Sequence, residues 1–199
     1  MKKRFIFLFL IALGCAACKE PKERIIPFKG RLVEYGTNEP IANAVLYVLC
    51  YDGAFLGPAT ATRYDEILTG PDGTFHKEYS ADELCGGAFI IAYKKGYYKR
   101  ELDFADSGLQ GDIVLDPEAW IKVVTVPDKE EVQIWFRGSF SGASGWDRYR
   151  YKGIEEEIFA TMGNRKHSIR WGNYSSSGLL GQDSVFLPAH KTITYTIHY

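Results

Sequence analysis

The sequence predicts an all-β protein, in which an N-terminal β-sandwich is followed by a second, smaller β-rich domain. Aromatic residues make up 15% of the 199 residues, and such side chains favour the pleated, half-buried surface of a sheet. Gly and Pro interrupt the chain at short intervals, which is typical of many short strands. The segments between these interruptions in the first half do not follow the 3.6-residue period of an amphipathic helix.

Seven strands are predicted in the first half, and two of them have nearly continuous apolar sequences. The runs at 44–50 and 88–93 are expected at sheet centres, because a strand that is covered on both faces has no polar side. Asp72-Gly73 predicts a tight turn, since Gly accepts the positive φ that such turns need. Seven short strands in about ninety residues are typical of a β-sandwich. The predicted strands are residues 28–35, 44–50, 60–68, 75–79, 88–93, 99–104 and 113–115.

Five short motifs in this half resemble those of the carboxypeptidase regulatory-like domain in order and approximate spacing. The resemblance covers residues 28–116 and implies a transthyretin-like, prealbumin-type sandwich. It also implies a non-catalytic module, which in its family accompanies an enzyme, receptor or anchor. Residues 51–64 and 81–87 depart from the family pattern. The motifs are Gly30-x-Leu32-Val33, Thr37-x-x-Pro40-Ile41-x-Asn43-Ala44, Thr69-x-x-Asp72-Gly73-x-Phe75, Tyr93-x-x-x-Gly96-Tyr97 and Ile113-x-Leu115.

The second half, residues 117–199, is also predicted to be rich in β structure. Strands are expected at 120–126 and 131–137, and the strict alternation of 191–199 indicates a half-buried antiparallel strand. Residues 154–162 contain acids and apolar residues in a pattern that suits a short helix, with a strand as the alternative. We expect these elements to form a second, sandwich-like domain.

The N-terminus has the three parts of an export signal: the cations of residues 2–4, an apolar run over 5–13, and small residues around two cysteines. The apolar run is far shorter than the ~20 residues that span a bilayer as a helix. Small residues that lead directly to Cys resemble the lipobox of bacterial lipoproteins. In that family the cysteine thiol is acylated and becomes the new N-terminus.

Cys18 is the preferred lipid-bearing residue, and Cys15 is the second choice. Two alanines precede Cys18 and a charged segment follows it at once. Cleavage before Cys18 predicts a signal peptide over 1–17 and a tether over 18–27. An ordinary secretory signal without lipid is the alternative. The charged segment after Cys18 loosely resembles those of surface-exported Bacteroidetes lipoproteins, so an outer-membrane location is expected, with the cell surface and the periplasmic face both open.

Cys50 and Cys85 are a candidate disulfide pair. Cleavage before Cys18 leaves these two as an even pair in an oxidising compartment. The alternative is two free thiols that behave as small buried hydrophobic groups.

Charge argues against nucleic acid as a partner. Removing residues 1–17 takes away three of the 24 Lys and Arg and none of the 25 Asp and Glu, which leaves a net charge of −4. An acidic chain with interspersed cations has no electrostatic reason to seek a phosphate backbone. The expected partners are therefore the membrane, through the lipid, and a protein or a glycan.

The sequence carries no recognisable catalytic motif. Phosphate-binding and dinucleotide-binding glycine patterns, HExxH and GxSxG are absent. The four histidines lie far apart, so neither a metal site nor a cofactor is predicted. Asp183, Ser184 and His190 share one segment, but a hydrolytic set must converge in space, and surface or strand positions are the expected interpretation. The chain is therefore predicted not to be an enzyme.

Aromatic residues of the second half suggest a glycan site. Flat rings on a sandwich can stack on sugar rings while neighbouring polar groups bond hydroxyls. Filling the core of a small domain is the alternative role for the same residues. The sequence thus predicts a lipid-anchored structural or interaction module that contributes to surface assembly or adhesion, or, as the alternative, a glycan-binding surface lipoprotein. The candidate stacking residues are Trp146, Trp135, Trp171 and Tyr149.

Overall fold

A computed structural model of the chain describes residues 24–52, 60–84, 88–103, 108–126, 132–137, 147–151, 155–173 and 178–198. All regular elements in these ranges are strands, which confirms the predicted all-β fold class. The strands are β1 (Ile25–Glu34), β2 (Val45–Asp52), β3 (Thr60–Leu68), β4 (Thr74–Ser80), β5 (Ala88–Tyr93), β6 (Arg100–Asp103), β7 (Leu109–Gln110), β8 (Ile113–Leu115), β9 (Glu118–Val126), β10 (Val132–Arg137), β11 (Asp147–Tyr151), β12 (Glu155–Met162), β13 (Arg165–Asn173), β14 (Leu179–Leu187) and β15 (Thr192–His198).

Strands β1 to β8 form the first sandwich from two sheets. In one sheet β1 pairs with β4 on one side and with β7 and β8 on the other; the second sheet has the order β3-β2-β5-β6. Side chains from both sheets meet in one core, because alternate residues of each strand point between the layers. The runs predicted to lie at sheet centres are β2 and β5. The core residues include Phe28, Leu32, Leu46, Val48, Phe75, Ile90, Ile113 and Leu115.

The first strand begins earlier than predicted. Residues 25–27, which the sequence placed in the tether, belong to β1 and pair with the end of β4. Ile26 is buried because it lies on the core face of β1. The predicted tether is therefore too long by these three residues.

The turn between β3 and β4 requires glycine at position 73. Gly73 has φ 74°, and its carbonyl accepts a hydrogen bond of 2.9 Å from the Leu32 amide. A Cβ at this position would lie 2.6 Å from the Leu32 carbonyl oxygen. Asp72 closes the same turn, because its carboxylate accepts hydrogen bonds from the Thr74 amide and hydroxyl. The Asp-Gly pair thus fixes how β4 returns to β1.

Strands β9 to β15 form the second sandwich. Its sheets have the orders β12-β9-β15 and β11-β10-β13-β14. The strand β15 runs parallel to β9, not antiparallel to its neighbour as its alternation had predicted. Each sheet contributes to a second core, which consists of Ala119, Ile121, Val123, Ile134, Phe159, Ile169, Leu187 and Ile197.

Residues 154–162 do not form the short helix that was the first prediction for this segment. Glu155–Met162 is the strand β12, which pairs with β9 along its whole length. Phe159 and Thr161 are buried while Ala160 between them is exposed, a period of two. Pairing with the buried strand β9 outweighs the intrinsic helix propensity of the three glutamates.

His167 is the buried titratable group of the second sandwich. It is 2% exposed, and its Nε2 lies 2.7 Å from the carbonyl oxygen of Met162. Burial lowers the pKa of His167, against the opposing effect of the Met162 hydrogen bond and with the help of nearby Arg165. The folded protein therefore holds this imidazole neutral at a pH where an exposed histidine begins to protonate.

This burial predicts a loss of stability in mild acid. The unfolded chain takes up a proton at His167 below about pH 6.5 and the folded chain does not, so stability falls as the pH drops from there towards the folded pKa. We expect the free energy of unfolding, measured by urea titration, to fall with a slope on the order of 1 kcal/mol per pH unit. The variant His167→Gln should show a flatter profile, and the exposed His76→Gln should behave as the wild type. Equal slopes for His167→Gln and the wild type would contradict the prediction.

Cys50 is disulfide-bonded. Its predicted partner Cys85 lies outside the described residues, so the pairing itself stays a prediction. The register supports it, because Cys50 lies opposite Ala88 in β5, only three residues after Cys85.

Reduction of this bond is expected to lower the free energy of unfolding by on the order of 3 kcal/mol, because a bridge between positions 50 and 85 constrains the unfolded chain. Urea unfolding with and without dithiothreitol measures the change. Alkylation should add mass at these two residues only after reduction. Full labelling of the unfolded, unreduced protein would contradict the pairing.

Within the described residues, no helix is long and apolar enough to cross a membrane.

Candidate functional site

Four polar side chains from distant parts of the chain meet where the two sandwiches join. Glu34 ends β1, and Tyr97 follows the turn after β5. Asn164 lies in the turn between β12 and β13, and His190 in the turn between β14 and β15. We refer to these four residues as the joint cluster.

Glu34 is the centre of the joint cluster. It is 7% exposed. Its carboxylate accepts hydrogen bonds from the Tyr97 hydroxyl at 2.8 Å and from Asn164 Nδ2 at 2.9 Å. A third comes from the Thr37 hydroxyl at 3.1 Å, and His190 Nε2 lies 3.4 Å from Oε2. A buried carboxylate is therefore surrounded by donors from both sandwiches.

These donors keep Glu34 ionised. Burial alone would raise the pKa of Glu34, but the hydrogen bonds that it accepts, with His190 nearby, hold that pKa below its usual value. Burial and the adjacent carboxylate together raise the pKa of Tyr97, so its hydroxyl keeps the proton that it donates. The charge of Glu34 is thus stabilised mainly by the hydrogen bonds from Tyr97, Asn164 and Thr37, with a smaller contribution from His190.

Asn164 connects the end of β1 to two turns of the second sandwich. Besides its bond to Glu34, Nδ2 donates to the Tyr35 carbonyl at 2.9 Å, and Oδ1 accepts from the Ala189 amide at 3.0 Å. Its φ is 54°, and Asn tolerates this left-handed conformation better than most residues. Both the side chain and the backbone conformation at position 164 suit asparagine.

The segment that links the two sandwiches is hydrogen-bonded to both of them. The Tyr98 amide donates to the Asp116 carbonyl at 2.9 Å, and the Glu118 amide donates to the Gly96 carbonyl at 2.8 Å. On the other side, the Gly163 amide donates to the Pro117 carbonyl at 2.7 Å. The connection is therefore part of the folded structure of both units.

A cation beside the joint cluster makes a further link. Arg165 forms an ion pair with Asp116, and its guanidinium carbon lies 4.1 Å from the centroid of the Tyr35 ring. Stacking of this kind stabilises a partly desolvated arginine. His190 also meets the Tyr97 ring edge to face, at 5.0 Å between ring centroids.

The three residues that could be imagined as a hydrolytic set have separate roles. Asp183 accepts a hydrogen bond of 2.6 Å from the Tyr195 hydroxyl and another from the Ser184 amide. His190 belongs to the joint cluster. Among the described residues, no group of three or more His, Cys, Asp or Glu could hold a metal ion.

Of the four predicted stacking aromatics, the structure describes the side chain of Trp171. Trp171 packs against the core, and it lies so close to Gly181 that a Cβ there would be 2.2 Å from its ring. The backbone of Tyr149 is paired with that of Ile134, and the backbone of Trp135 with that of Arg170. Trp146 lies outside the described residues, as do the candidate lipid-bearing Cys18 and Cys15.

Comparison with known proteins finds no matching family model and no matching curated protein. Among solved structures, the chain is similar to the Bacillus anthracis TIE protein, with 9% identity, 88% of this chain and 34% of that one covered, and a TM-score of 0.35. The minor pilin GBS52 of Streptococcus agalactiae shows 13% identity, 86% and 94% coverage, and a TM-score of 0.31. A DUF3823 family protein from Bacteroides uniformis shows 10% identity, 84% and 100% coverage, and a TM-score of 0.31. The chain spans about a third of the length of the TIE protein, and likenesses this distant assign no function to it.

Proposed function

We propose that the chain is a non-catalytic, lipid-anchored module of the bacterial envelope, in which two β-sandwiches act as one stiff structural or interaction unit in surface assembly or adhesion. The joint cluster carries this proposal. Domains that move freely meet through small interfaces with accessible linkers. Here a buried, ionised Glu34 receives hydrogen bonds from both sandwiches.

The energetics of the joint cluster favour a single orientation. Hydrogen bonds to a charged group contribute roughly 1.5–3 kcal/mol each, and Glu34 accepts them from Tyr97 in one sandwich and Asn164 in the other. Rotation of one sandwich against the other would leave the carboxylate buried without donors, or expose the core beside it. A fixed spacer is useful to a protein that presents a surface to a partner.

The anchor is the second part of the proposal. Acylation at Cys18 would hold the chain at the outer membrane, and β1 begins at Ile25. The six residues between them reach about 20 Å at most. The first sandwich would therefore stay close to the headgroups, and the second sandwich would project from it.

Metabolic labelling with a fatty acid tests the anchor. The wild-type chain, expressed in a bacterium with a lipoprotein pathway, should carry label. The variant Cys18→Ser should lose it and Cys15→Ser should keep it. Label that survives Cys18→Ser and disappears in Cys15→Ser would move the anchor to Cys15, and an unlabelled wild type would end the lipid proposal.

A distance measurement between spin labels tests the stiffness. His76 is exposed in the first sandwich and Ile158 in the second, so cysteines at both positions can carry labels. We expect one narrow distance distribution for this pair and a broad one when Asn164→Ala is added. The exposed Glu39→Ala is the matched control and should leave the distribution narrow. A broad distribution in the otherwise unchanged protein would rule out the stiff unit.

A further inference from the structure

Strand β15 lies at the edge of the sheet β12-β9-β15. All seven of its residues, Thr192–His198, are paired with β9 on one side, without a shift in register. Within the described part of the chain, no strand is paired with its other side. The backbone amide and carbonyl groups that point to that side are therefore open to pairing with another strand.

The composition of β15 differs from that of the other edge strands. Natural proteins protect edge strands from pairing with other molecules by charged side chains, proline, bulges or very short length. Among the described edge strands, β7 and β8 have two and three residues. The longer ones, β3, β4, β6, β11, β12 and β14, each contain at least one Asp, Glu, Lys or Arg. β15 contains none of these four residue types and no proline.

The side chains of β15 alternate between the outer face of the sheet and the core. The exposed residues of the outer face are Thr192, Thr194, Thr196 and His198. On the core face Ile197 is 1% exposed. Ile193 and Tyr195 also pack against the second core, but they are only half-buried. A further strand beside β15 would cover their open sides and remove apolar surface from water.

The sequence of β15 is close to a palindrome centred on Tyr195. Its order is Thr-Ile-Thr-Tyr-Thr-Ile-His, so Thr and then Ile follow Tyr195 in both directions. When two copies of a strand pair antiparallel about a two-fold axis perpendicular to the sheet, residues equally far from the axis lie opposite each other. Because Tyr195 is the midpoint of the strand, an axis at this residue pairs every residue of β15.

Side chains that meet in this register are compatible. Tyr195 lies opposite its own copy, Thr194 opposite Thr196, and Ile193 opposite Ile197. Aromatic pairs and hydrogen bonds between threonines across two strands stabilise a sheet. Since β15 contains no Asp, Glu, Lys or Arg, the register places no like charges of these residues opposite each other.

The neighbouring edge strand β14 shows how such pairing is prevented. It is the edge of the other sheet of this sandwich, and its midpoint is Asp183. Symmetric pairing about that midpoint would place two carboxylates opposite each other, which destabilises a sheet. In a pair formed through β15, each Asp183 keeps the hydroxyl of its own Tyr195 as a donor at 2.6 Å.

We infer that β15 pairs with β15 of a second copy of this chain, antiparallel and centred on Tyr195. The sheets of the two copies then form one continuous sheet in the order β12-β9-β15-β15-β9-β12. The near-palindrome favours a second copy, because a strand of a different protein needs no symmetry about Tyr195. The inference goes beyond the proposed function, and it depends neither on the lipid nor on the joint cluster.

The dimer is expected to form reversibly. An interface that consists mainly of one strand pair is smaller than the about 800 Å² per partner of a typical stable complex. Its population should therefore rise with protein concentration. Chains held close together on a surface have a high effective concentration, so this contact suits a protein that assembles there.

Disulfide trapping between two cysteine variants tests the inference. The full chain is purified in non-ionic detergent with Cys15→Ser and Cys18→Ser, and Cys50 is already disulfide-bonded. In the proposed pair Thr194 lies opposite Thr196 with Cα atoms about 5 Å apart, a separation that suits a disulfide. A mixture of Thr194→Cys and Thr196→Cys should therefore form a covalent dimer under mild oxidation.

Each cysteine variant alone is the control for this mixture. Two copies of the same position are diagonal across the pair, with Cβ atoms about 7–8 Å apart, which is too far for an unstrained disulfide. We expect the mixture to give about fivefold more covalent dimer than either variant alone, because only the mixture contains directly opposite thiols. Equal yields in the three samples would overturn the inference.

A charge on the edge strand is the second test. Thr194→Lys places two cations diagonally across the axis, and lysine on an edge strand opposes pairing. Sedimentation equilibrium of the full chain should show a dissociation constant about tenfold higher than that of the wild type. Ala160→Lys, at an exposed position of β12 on the opposite edge of the same sheet, is the matched control and should change it less than about twofold. Equal dissociation constants for the three proteins, or a wild type whose mass does not rise with concentration, would overturn the inference. Fatty-acid labelling does not depend on this pairing, so failure here leaves the anchor proposal as it is.

Discussion

Replacing Glu34 by alanine is expected to lower the free energy of unfolding by about 4 kcal/mol. The change removes a carboxylate that is 7% exposed and leaves the Tyr97 hydroxyl and Asn164 Nδ2 without their acceptor. Each buried donor that loses a charged partner costs on the order of 1.5–3 kcal/mol. Urea unfolding followed by circular dichroism measures the loss at neutral pH.

Two further variants separate charge from surroundings. Glu34→Gln keeps the size of the side chain but presents an amide N–H group to the donors Tyr97 and Asn164. Its loss of stability should therefore be smaller than that of Glu34→Ala but should not vanish. Glu39→Gln changes an exposed glutamate of the same turn and should stay within about 0.5 kcal/mol of the wild type. A loss below 1 kcal/mol for Glu34→Ala would show that the joint cluster does not stabilise the fold.

The contribution of Glu34 should depend on pH in a defined direction. Its folded pKa is lowered, so the unfolded chain binds a proton first as the pH falls. The stabilisation is fully present above about pH 4.3, the usual value for glutamate, and is lost as the pH falls from there through the folded pKa. The difference in stability between the wild type and Glu34→Gln should therefore shrink below that pH.

Replacing Phe28 by alanine is expected to cost about 3–5 kcal/mol, because it leaves a cavity in the core of the first sandwich. Phe28 is 0% exposed, and its ring centroid lies 4.7 Å from that of Phe75. The more useful result concerns the second sandwich. All four tryptophans follow the first core in the sequence, and Trp120, Trp135 and Trp171 belong to strands of the second sandwich, so tryptophan fluorescence reports mainly on that sandwich.

If the joint cluster couples the two units, the cavity at Phe28 shifts the tryptophan transition to lower urea together with the circular dichroism transition. Phe28→Leu should shift both transitions by a smaller amount. In the Glu34→Ala background the tryptophan transition should become independent of position 28. A tryptophan transition that ignores Phe28→Ala in the otherwise unchanged protein would show that the sandwiches unfold separately.

Much of the first sandwich could be predicted from the sequence, because its strands carry strong local signals. The apolar runs of β2 and β5 and the Asp72-Gly73 turn mark strand and turn without reference to distant residues. The strand β7 is only Leu109–Gln110, too short for any period to be visible. In the second half, arginine and tyrosine alternate along β11. This period of two is typical of a strand, but no strand was predicted there.

The strand β14 and the joint cluster lacked such signals. β14 is an edge strand. Its Leu179, Leu180 and Phe186 are exposed, so the apolar residues in its sequence do not mark its buried face. Glu34 looks like an ordinary polar residue at the end of a strand, and its partner Asn164 lies 130 residues away. Only the packing of the two sandwiches reveals that this carboxylate is buried.

The position of β1 has a mechanical consequence for a chain held at its N-terminal end. Tension on the segment before Ile25 would enter the fold through β1, which is hydrogen-bonded to β4 on one side and to β7 and β8 on the other. When a strand with neighbours on both sides is pulled along its length, many hydrogen bonds must break at the same time and cannot break one after another. The same strand ends at Glu34, so a load on the N-terminal end would pass along β1 directly into the second sandwich.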